Sequence, residues 1–438
     1  MTAMRWTGEA EPGRPLWWDA LEDAPAADPL PGKVDLLVVG GGYAGLSAAI
    51  AAHDCGAQVA VVDSGEPGRG ASTRNGGMFG AHPRLGWQAL AARFGAAVAD
   101  ALFAEAAPAL DWAKDFIARE SIACDLQQTG RVQLAWSAAH FAAQQELARA
   151  VAEKSAVRVS LVARADLGRE IVTERYFGGL LFPEHCGLHP AKYHQGMRRA
   201  VARRGIPLAG GVELRALERA GTGFVARTNR GALRADKVIL CTNGYTTGNF
   251  RWHVARVFPL PSYIIATEEL PADLLARLAP GRRMMVETRA RHSYFRLSPD
   301  GRRVIWGGRA AMRVLPLQEA ARRLRASMIE VWPELAEARI SHVWWGYTGF
   351  SFNHMPHVGE DRGLFHAMGF SGSGTVMAPY LGAKAAWRAL GDARGHTAYA
   401  DTTLRRHPLH PFRRPYFLWA ADLWYRQVID RIEARQGR

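Results

Sequence analysis

Two glycine-rich stretches hold the residues with the plainest chemical purpose: Gly40-Gly41-Gly42-Tyr43-Ala44-Gly45 and, about thirty residues later, Gly70-Ala71-Ser72-Thr73-Arg74-Asn75-Gly76-Gly77. Glycine leaves main-chain N–H groups open to a phosphate, and a helix starting there adds the positive end of its dipole. In the first stretch Gly40 permits a tight turn, Gly42 lets the backbone approach a pyrophosphate, and Gly45 brings helix close to strand, with Tyr43 and Ala44 between them. Asp63, followed by Ser64, stands where a carboxylate accepts the hydroxyls of an adenosine ribose, and its charge disfavours a 2′-phosphorylated cofactor. One such signature alone indicates only a dinucleotide. The pair at this spacing points to a flavin rather than a nicotinamide.

The surrounding sequence supplies the elements that must position these residues. Val34 to Val39 reads as an apolar strand, Leu46 to Ala52 as the helix after the turn, and Gln58 to Val62 as the next strand. Further on, Lys237 to Leu240 is a buried strand ending in Cys241-Thr242-Asn243-Gly244, and Gly369-Phe370-Ser371-Gly372-Ser373-Gly374 opens a helix from Thr375 to Leu390. Between these lie alanine-rich helices over 87–120 and 141–153, a strand over 130–136, and a strand-rich stretch over 251–340. Tyr294 to Ser298 and Arg303 to Gly307 flank Pro299-Asp300-Gly301 as a β-hairpin. The expected fold is α/β (α+β): a discontinuous Rossmann-type nucleotide-binding domain over 31–90, 186–250 and 340–392, with an inserted antiparallel-sheet substrate domain over 91–185 and 251–339. Residues 1–30 form an N-terminal arm, and 393–438 an aromatic and basic tail.

The 438 residues suit two domains sharing a large core, with an ordinary 48% hydrophobic and 22% charged composition. Four widely spaced cysteines without a CxxC pair indicate neither a disulfide framework nor a zinc knuckle. His185, Cys186, His189 and His194 flank a Pro190 turn without the spacing of a known ligand set, so no metal is expected. The charge of +14 comes from arginines spread over the whole length, which argues for a solvated surface and against a nucleic-acid partner. Met1 to Pro31 lacks the apolar core of a secretory signal, and the expected compartment is the cytoplasm.

Taken together these segments resemble the D-amino-acid oxidase superfamily of FAD-dependent oxidoreductases, in its bacterial glycine/D-amino-acid and γ-glutamylputrescine oxidoreductase-like branch. The resemblance covers nearly the whole chain, including Trp17-Trp18, Gly187-Leu188-His189-Pro190, Ser262 to Glu268, Tyr294-Phe295-Arg296 and Met355 to Gly359. It implies that Gly70, Ala71, Ser72, Arg74, Asn75 and Gly76 wrap the pyrophosphate, ribityl chain and flavin, with Arg74 offsetting phosphate charge. It also implies cofactor contacts from Leu214, Thr242, Asn243 and Gly244, and from Gly372, Ser373, Gly374 and Thr375, whose helix end faces the reducible ring. The sarcosine-oxidase relatives tether their flavin through a cysteine near Trp345-Gly346-Tyr347-Thr348; none stands here, so the FAD is expected to be non-covalent. A substrate-binding lysine of those relatives is replaced by Val376, which points away from simple sarcosine-like recognition.

The implied reaction is oxidation of a C–N bond of an amine or amino acid, by hydride transfer to the flavin, imine hydrolysis and reoxidation by oxygen to give peroxide. Tyr294, Arg296 and Tyr347 are the substrate-side candidates, because Tyr294 and Arg296 share a strand face and combine an aromatic wall with an anion clamp. Equally, Arg296 can pair with a structural acid and the tyrosines can pack in the core; Arg309 and His292 are further candidates. An alternative is a dehydrogenase passing electrons to a quinone or carrier protein. The tail residues Phe412, Tyr416, Phe417, Trp419, Trp424 and Tyr425, mixed with arginines, have a composition that meets a membrane surface, or they pack over the catalytic domain. An RNA-modifying flavoprotein is a third class, weakened by the lack of an RNA-binding module.

Overall fold

The computed structural model describes residues 6–7, 12–21, 27–407 and 410–436; the remainder of the arm and tail, and the side chain of Phe412, lie outside the described residues. Two eight-stranded sheets organise the chain. In the first, Lys33–Val39 pairs in parallel with Gly231–Leu240 on one side and Val59–Val62 on the other, and Leu364–Met368 and Leu208–Ala209 extend the parallel set. Its central strand is a continuous apolar run because both faces are covered. Leu36 and Val38 join the core made with helices Tyr43–His53 and Gly374–Ala389, while Leu37 and Val39 join the core beneath the ribbon of Leu214–Ala220 and Gly223–Thr228. The two helices cross so closely that a Cβ on Gly382 would lie 2.1 Å from the Ala44 carbonyl oxygen, and Ser47 Oγ donates to Pro379 O at 2.7 Å.

The second sheet runs Ile340–Ser351, Val257–Thr267, Val304–Gly308, Ser293–Leu297, Met284–Glu287, Arg131–Leu134, Gly178–Phe182 and Ser160–Ala163. The expected hairpin forms, with Leu297 opposite Val304. The sheet is antiparallel except at one seam, where Met284–Glu287 pairs in parallel with Arg131–Leu134. That seam joins the two inserted stretches. One face packs on helix Leu317–Val331 through Phe295, Trp306 and Trp332, and the other faces the first sheet across a cleft.

Two boundaries differ from expectation. Ile340–Ser351 pairs along its whole length with Val257–Thr267 and so belongs to the second sheet rather than to the nucleotide-binding part. Helix Ala96–Arg119, expected in the substrate domain, packs Leu102, Phe103, Ala109 and Phe116 into the core of the first sheet's helices. Both follow from long-range pairing that no local pattern encodes.

Candidate functional site

A cavity of about 770 Å³ opens at the carboxyl ends of the parallel strands and extends to the second sheet. Gly40, Gly42, Tyr43 and Ala44 line it at the start of helix Tyr43–His53, together with Asp63 and Ser64. The Ser72 hydroxyl accepts from the first amide of that helix, Tyr43 N–H, at 3.0 Å, which brings the second glycine loop against the positive end of the helix. Gly40 has φ +105° and a Cβ there would meet the Cys241 main chain at 3.0 Å, so that position requires glycine; a Cβ on Gly42 would meet Ser72 Oγ at 2.8 Å and displace that hydroxyl. Asp63 accepts from the Gly41 and Gly65 N–H groups, at 2.8 and 3.0 Å, while burial pushes its carboxyl up. Gly45 is not on the cavity wall: its Cβ would fall 1.8 Å from Gly40 O, so it serves the close approach of helix to strand.

The second glycine loop forms the next part of the wall, and the N-terminal arm holds it there. Trp17 Nε1 donates to Asn75 O at 2.8 Å, Trp18 Nε1 to Thr73 Oγ1 at 2.9 Å, and Trp344 Nε1 to Arg74 O at 2.9 Å. Gly70, Ala71, Ser72, Arg74, Asn75 and Gly76 all line the cavity. Arg74 departs from its expected part. Its Nε donates to Arg69 O and its Nη1 to Gly13 O and Trp345 O, and its guanidinium stacks 4.5 Å from the Trp18 ring. Those donors brace the loop instead of facing a phosphate.

Leu214, Thr242 and Asn243 also reach the cavity, as do Gly372, Ser373, Gly374 and Thr375 at the start of helix Gly374–Ala389, which has no side-chain cap. Gly244 does not; a Cβ there would meet Gly349 N at 3.0 Å, and its smallness serves contact with the second sheet. Of the substrate-side candidates, Tyr294 and Tyr347 line the cavity. Tyr294 OH hydrogen-bonds Ser262 Oγ at 2.9 Å, and burial raises the phenol to about 12. Tyr347 sits between Trp345 and Tyr245, and its N–H donates to Tyr245 OH at 3.0 Å.

Arg296 is absent from the wall. Although it shares Tyr294's strand face, it runs beneath the second glycine loop and donates to Gly77 O at 2.8 Å, Leu188 O at 3.0 Å and Leu297 O at 2.9 Å. Neither the anion clamp nor the structural acid describes it: three carbonyls absorb its donors.

The cavity instead recruits Arg84, Arg131, Arg309 and His292, with His82 and His185 behind them. Arg131 and Gln133 point into it because Val132 and Leu134, alternating along the strand, fill the core of the second sheet. Burial pushes Arg84 down to about 10 and Arg131 to about 9. Burial, reinforced by the nearby Arg309 and Arg84, pushes His292 down to about 3, so it is neutral at physiological pH. The ring nitrogens of the histidines around Pro190 go to the main chain: His194 Nε2 to Gly41 O, His185 Nε2 to Ala81 O, and His189 Nδ1 accepts from Lys192 N.

The C-terminal helices abut this end of the cavity. Asp422 accepts from Met312 N, Asp430 pairs with Arg291, and Glu433 accepts from Ala290 N at 2.7 Å. Tyr416, Trp419, Trp424 and Ile432 stay exposed, and no described helix is long and apolar enough to cross a membrane.

The residues present suit FAD: two helix starts on the cavity wall, glycines whose Cβ atoms would fill the cradle, and a carboxylate on the wall beside the first helix. Comparison with known proteins agrees. The family model DAO, FAD dependent oxidoreductase, matches residues 35–388. The chain is 28% identical over 431 residues to the probable oxidoreductase OrdL of Rhizobium meliloti, covering 96% of this chain and 99% of that one. It is 28% identical over 384 residues to the gamma-glutamylputrescine oxidoreductase of Escherichia coli, covering 86% and 87%. The fold is similar to the crystal structure of glycine oxidase from Geobacillus kaustophilus, with TM-score 0.70 at 20% identity over 86% of this chain and 100% of that one.

Proposed function

This chain belongs to the DAO family of FAD dependent oxidoreductases, and on that premise we propose that it oxidises the C–N bond of a primary or secondary amine or amino acid. The observation that carries the reading is one continuous cavity shared by the glycine loops and by Tyr294, His292 and Arg309 of the second sheet. Bound FAD supplies the hydride acceptor, and the resulting imine hydrolyses in water. Gly40, Gly42 and Ala44 at the start of helix Tyr43–His53 would hold the pyrophosphate, Asp63 the ribose, and the residues opening helix Gly374–Ala389 the reducible ring. Tyr294 and Tyr347 orient the amine. No basic side chain is needed to take a proton from it, because nearby guanidinium groups disfavour an ammonium and favour the neutral amine. The cofactor is held without a covalent bond: no cysteine stands in 345–348, and burial pushes the cavity-lining Cys241 thiol up to about 12.

Anaerobic mixing of the holoenzyme with a panel of amines and amino acids tests this directly. Bleaching of the flavin by C–N compounds is expected; bleaching only by alcohols or hydroxy acids would overturn it. Oxygen is the acceptor we assign, with the cytoplasm as compartment. A second reading, electron delivery to a quinone or carrier at a membrane surface, draws on the exposed Trp419 and Trp424 beside Arg426 and Arg431. Oxygen uptake with equimolar peroxide separates the two, since the second predicts turnover with artificial acceptors alone.

A further inference from the structure

We propose that the second-sheet end of the cavity is a dianion site, and that the amine oxidised here carries two carboxylate groups. The inference rests on the amine-oxidation reading above and narrows it to a substrate class.

Arg84, Arg131 and Arg309 come from three separate elements: the loop after Met78–Phe79, the strand Arg131–Leu134, and the residue following Val304–Gly308. All three line the cavity and are held low by burial; repulsion from Arg309 adds to this at Arg84, and from Arg84 at Arg131. Among the described residues none forms an ion pair with a carboxylate. Nε of Arg84 and Nε of Arg131 are buried without a hydrogen-bond partner, Arg309 makes a 3.5 Å contact to Ala290 O, and Arg131 Nη2 meets the His82 ring at 3.1 Å; the Arg131 and Arg309 guanidinium groups also lie over the Phe182 and Phe350 rings, at 4.7 and 4.8 Å, which supplies no counter-ion.

The carboxylate at this end of the cavity, Glu287, is already spent. It pairs with Arg289 at 2.7 Å and accepts from Tyr176 OH and Ser293 N. His82, His185 and His292 are pushed toward the neutral form by burial and by the arginines, so they carry no charge and the arginines set the charge of the site. Three recessed cations without a counter-ion are unfavourable unless something anionic joins them. Two neighbouring arginines have such partners: Arg296 donates to three carbonyls and Arg289 pairs with Glu287.

The charge count selects the ligand. Arg84 Nη1 lies 3.6 Å from where a Cβ of Gly372 would be, beside the uncapped helix start, and so stays with the cofactor's reducible end. Arg131 and Arg309 remain, one on each side of the Met284–Glu287 and Ser293–Leu297 strands, and each planar fork matches one carboxylate. A neutral amine would leave both uncompensated, and a single carboxylate would leave one.

Two arms test the proposal on the holoenzyme. In the binding arm, succinate and acetate are titrated against the visible spectrum of the bound flavin and against the thermal midpoint. Succinate is expected to bind at least about tenfold more tightly. Arg131→Met or Arg309→Met should bring it to the level of acetate, and Arg131→Lys should restore part of the difference. Equal affinities in the unaltered protein would overturn the proposal whether or not the variants fold. In the reaction arm, propylamine, alanine, aspartate, glutamate and N-(carboxymethyl)alanine, the chiral ones as both enantiomers, are compared anaerobically. Flavin reduction favouring the two-carboxylate compounds by about tenfold in rate over dissociation constant is expected; propylamine or alanine reacting as well would overturn it. If succinate binds selectively while no C–N compound reduces the flavin, the amine-oxidation reading falls and the dianion site stands.

Discussion

Arg296 separates a residue's type from its employment. Period-two alternation correctly puts Tyr294 and Arg296 on one face of the Ser293–Leu297 strand, but Tyr294 reaches the cavity while Arg296 passes under Gly77 and Leu188. Its length lets it find carbonyls that no local pattern reveals. Arg131 is the reverse case: the sequence offers only a strand over 130–136, and the cleft between the sheets turns Arg131 and Gln133 into a cavity wall. Replacing Arg296 by Met should therefore cost about 2–4 kcal/mol of stability, by taking the guanidinium donors from the Leu188 and Leu297 carbonyls and leaving Gly77 O with the Leu188 N–H alone. Differential scanning calorimetry checks it, and the ratio of activities among substrates should not move. A change in that ratio at constant stability would return Arg296 to the substrate.

Among the elements, the glycine turns and the helices they open were legible, because the small residues a dinucleotide needs must be contiguous in sequence. The brace on the second loop was not. Trp17-Trp18 is visible in the sequence, but its partners Thr73, Asn75 and Trp344 lie far along the chain. Trp17 is buried, edge-on to His189 and Trp344. Trp17→Ala should lose about 3–5 kcal/mol of packing and release the 70–77 loop, weakening FAD binding. Flavin content after dialysis reads this out, and full retention of flavin would show that the arm does not support the loop. The tail divides similarly: its aromatic and basic character was evident, whereas its anchorage through Asp422, Asp430 and Glu433 depended on main-chain and arginine partners at 290–312.

For the molecule as a whole, the two sheets bury titratable groups that must stay neutral. Burial pushes His189, His194 and His253 from the ordinary 6.5 down to about 4, and His357 to about 3. Below 6.5 the unfolded chain takes up protons that the folded one refuses, so stability is fully present above that pH and is lost as the pH falls toward 4. Each such histidine contributes a slope of about 1.4 kcal/mol per pH unit in that window. The thermal midpoint should therefore drop steeply between pH 6 and pH 4.5; a flat profile would mean that the histidines charge without unfolding the protein. By itself the sequence determined the α/β class, the paired glycine signatures and the flavin they imply, because strand, turn and helix are short-range patterns and a pyrophosphate is read by neighbouring amides. Only the tertiary structure decided which sheet Ile340–Ser351 joins, which arginines are spent on carbonyls, and that Arg84, Arg131 and Arg309 meet in one cavity. Those outcomes depend on long-range register and on which polar groups are left unpaired once the cores have closed.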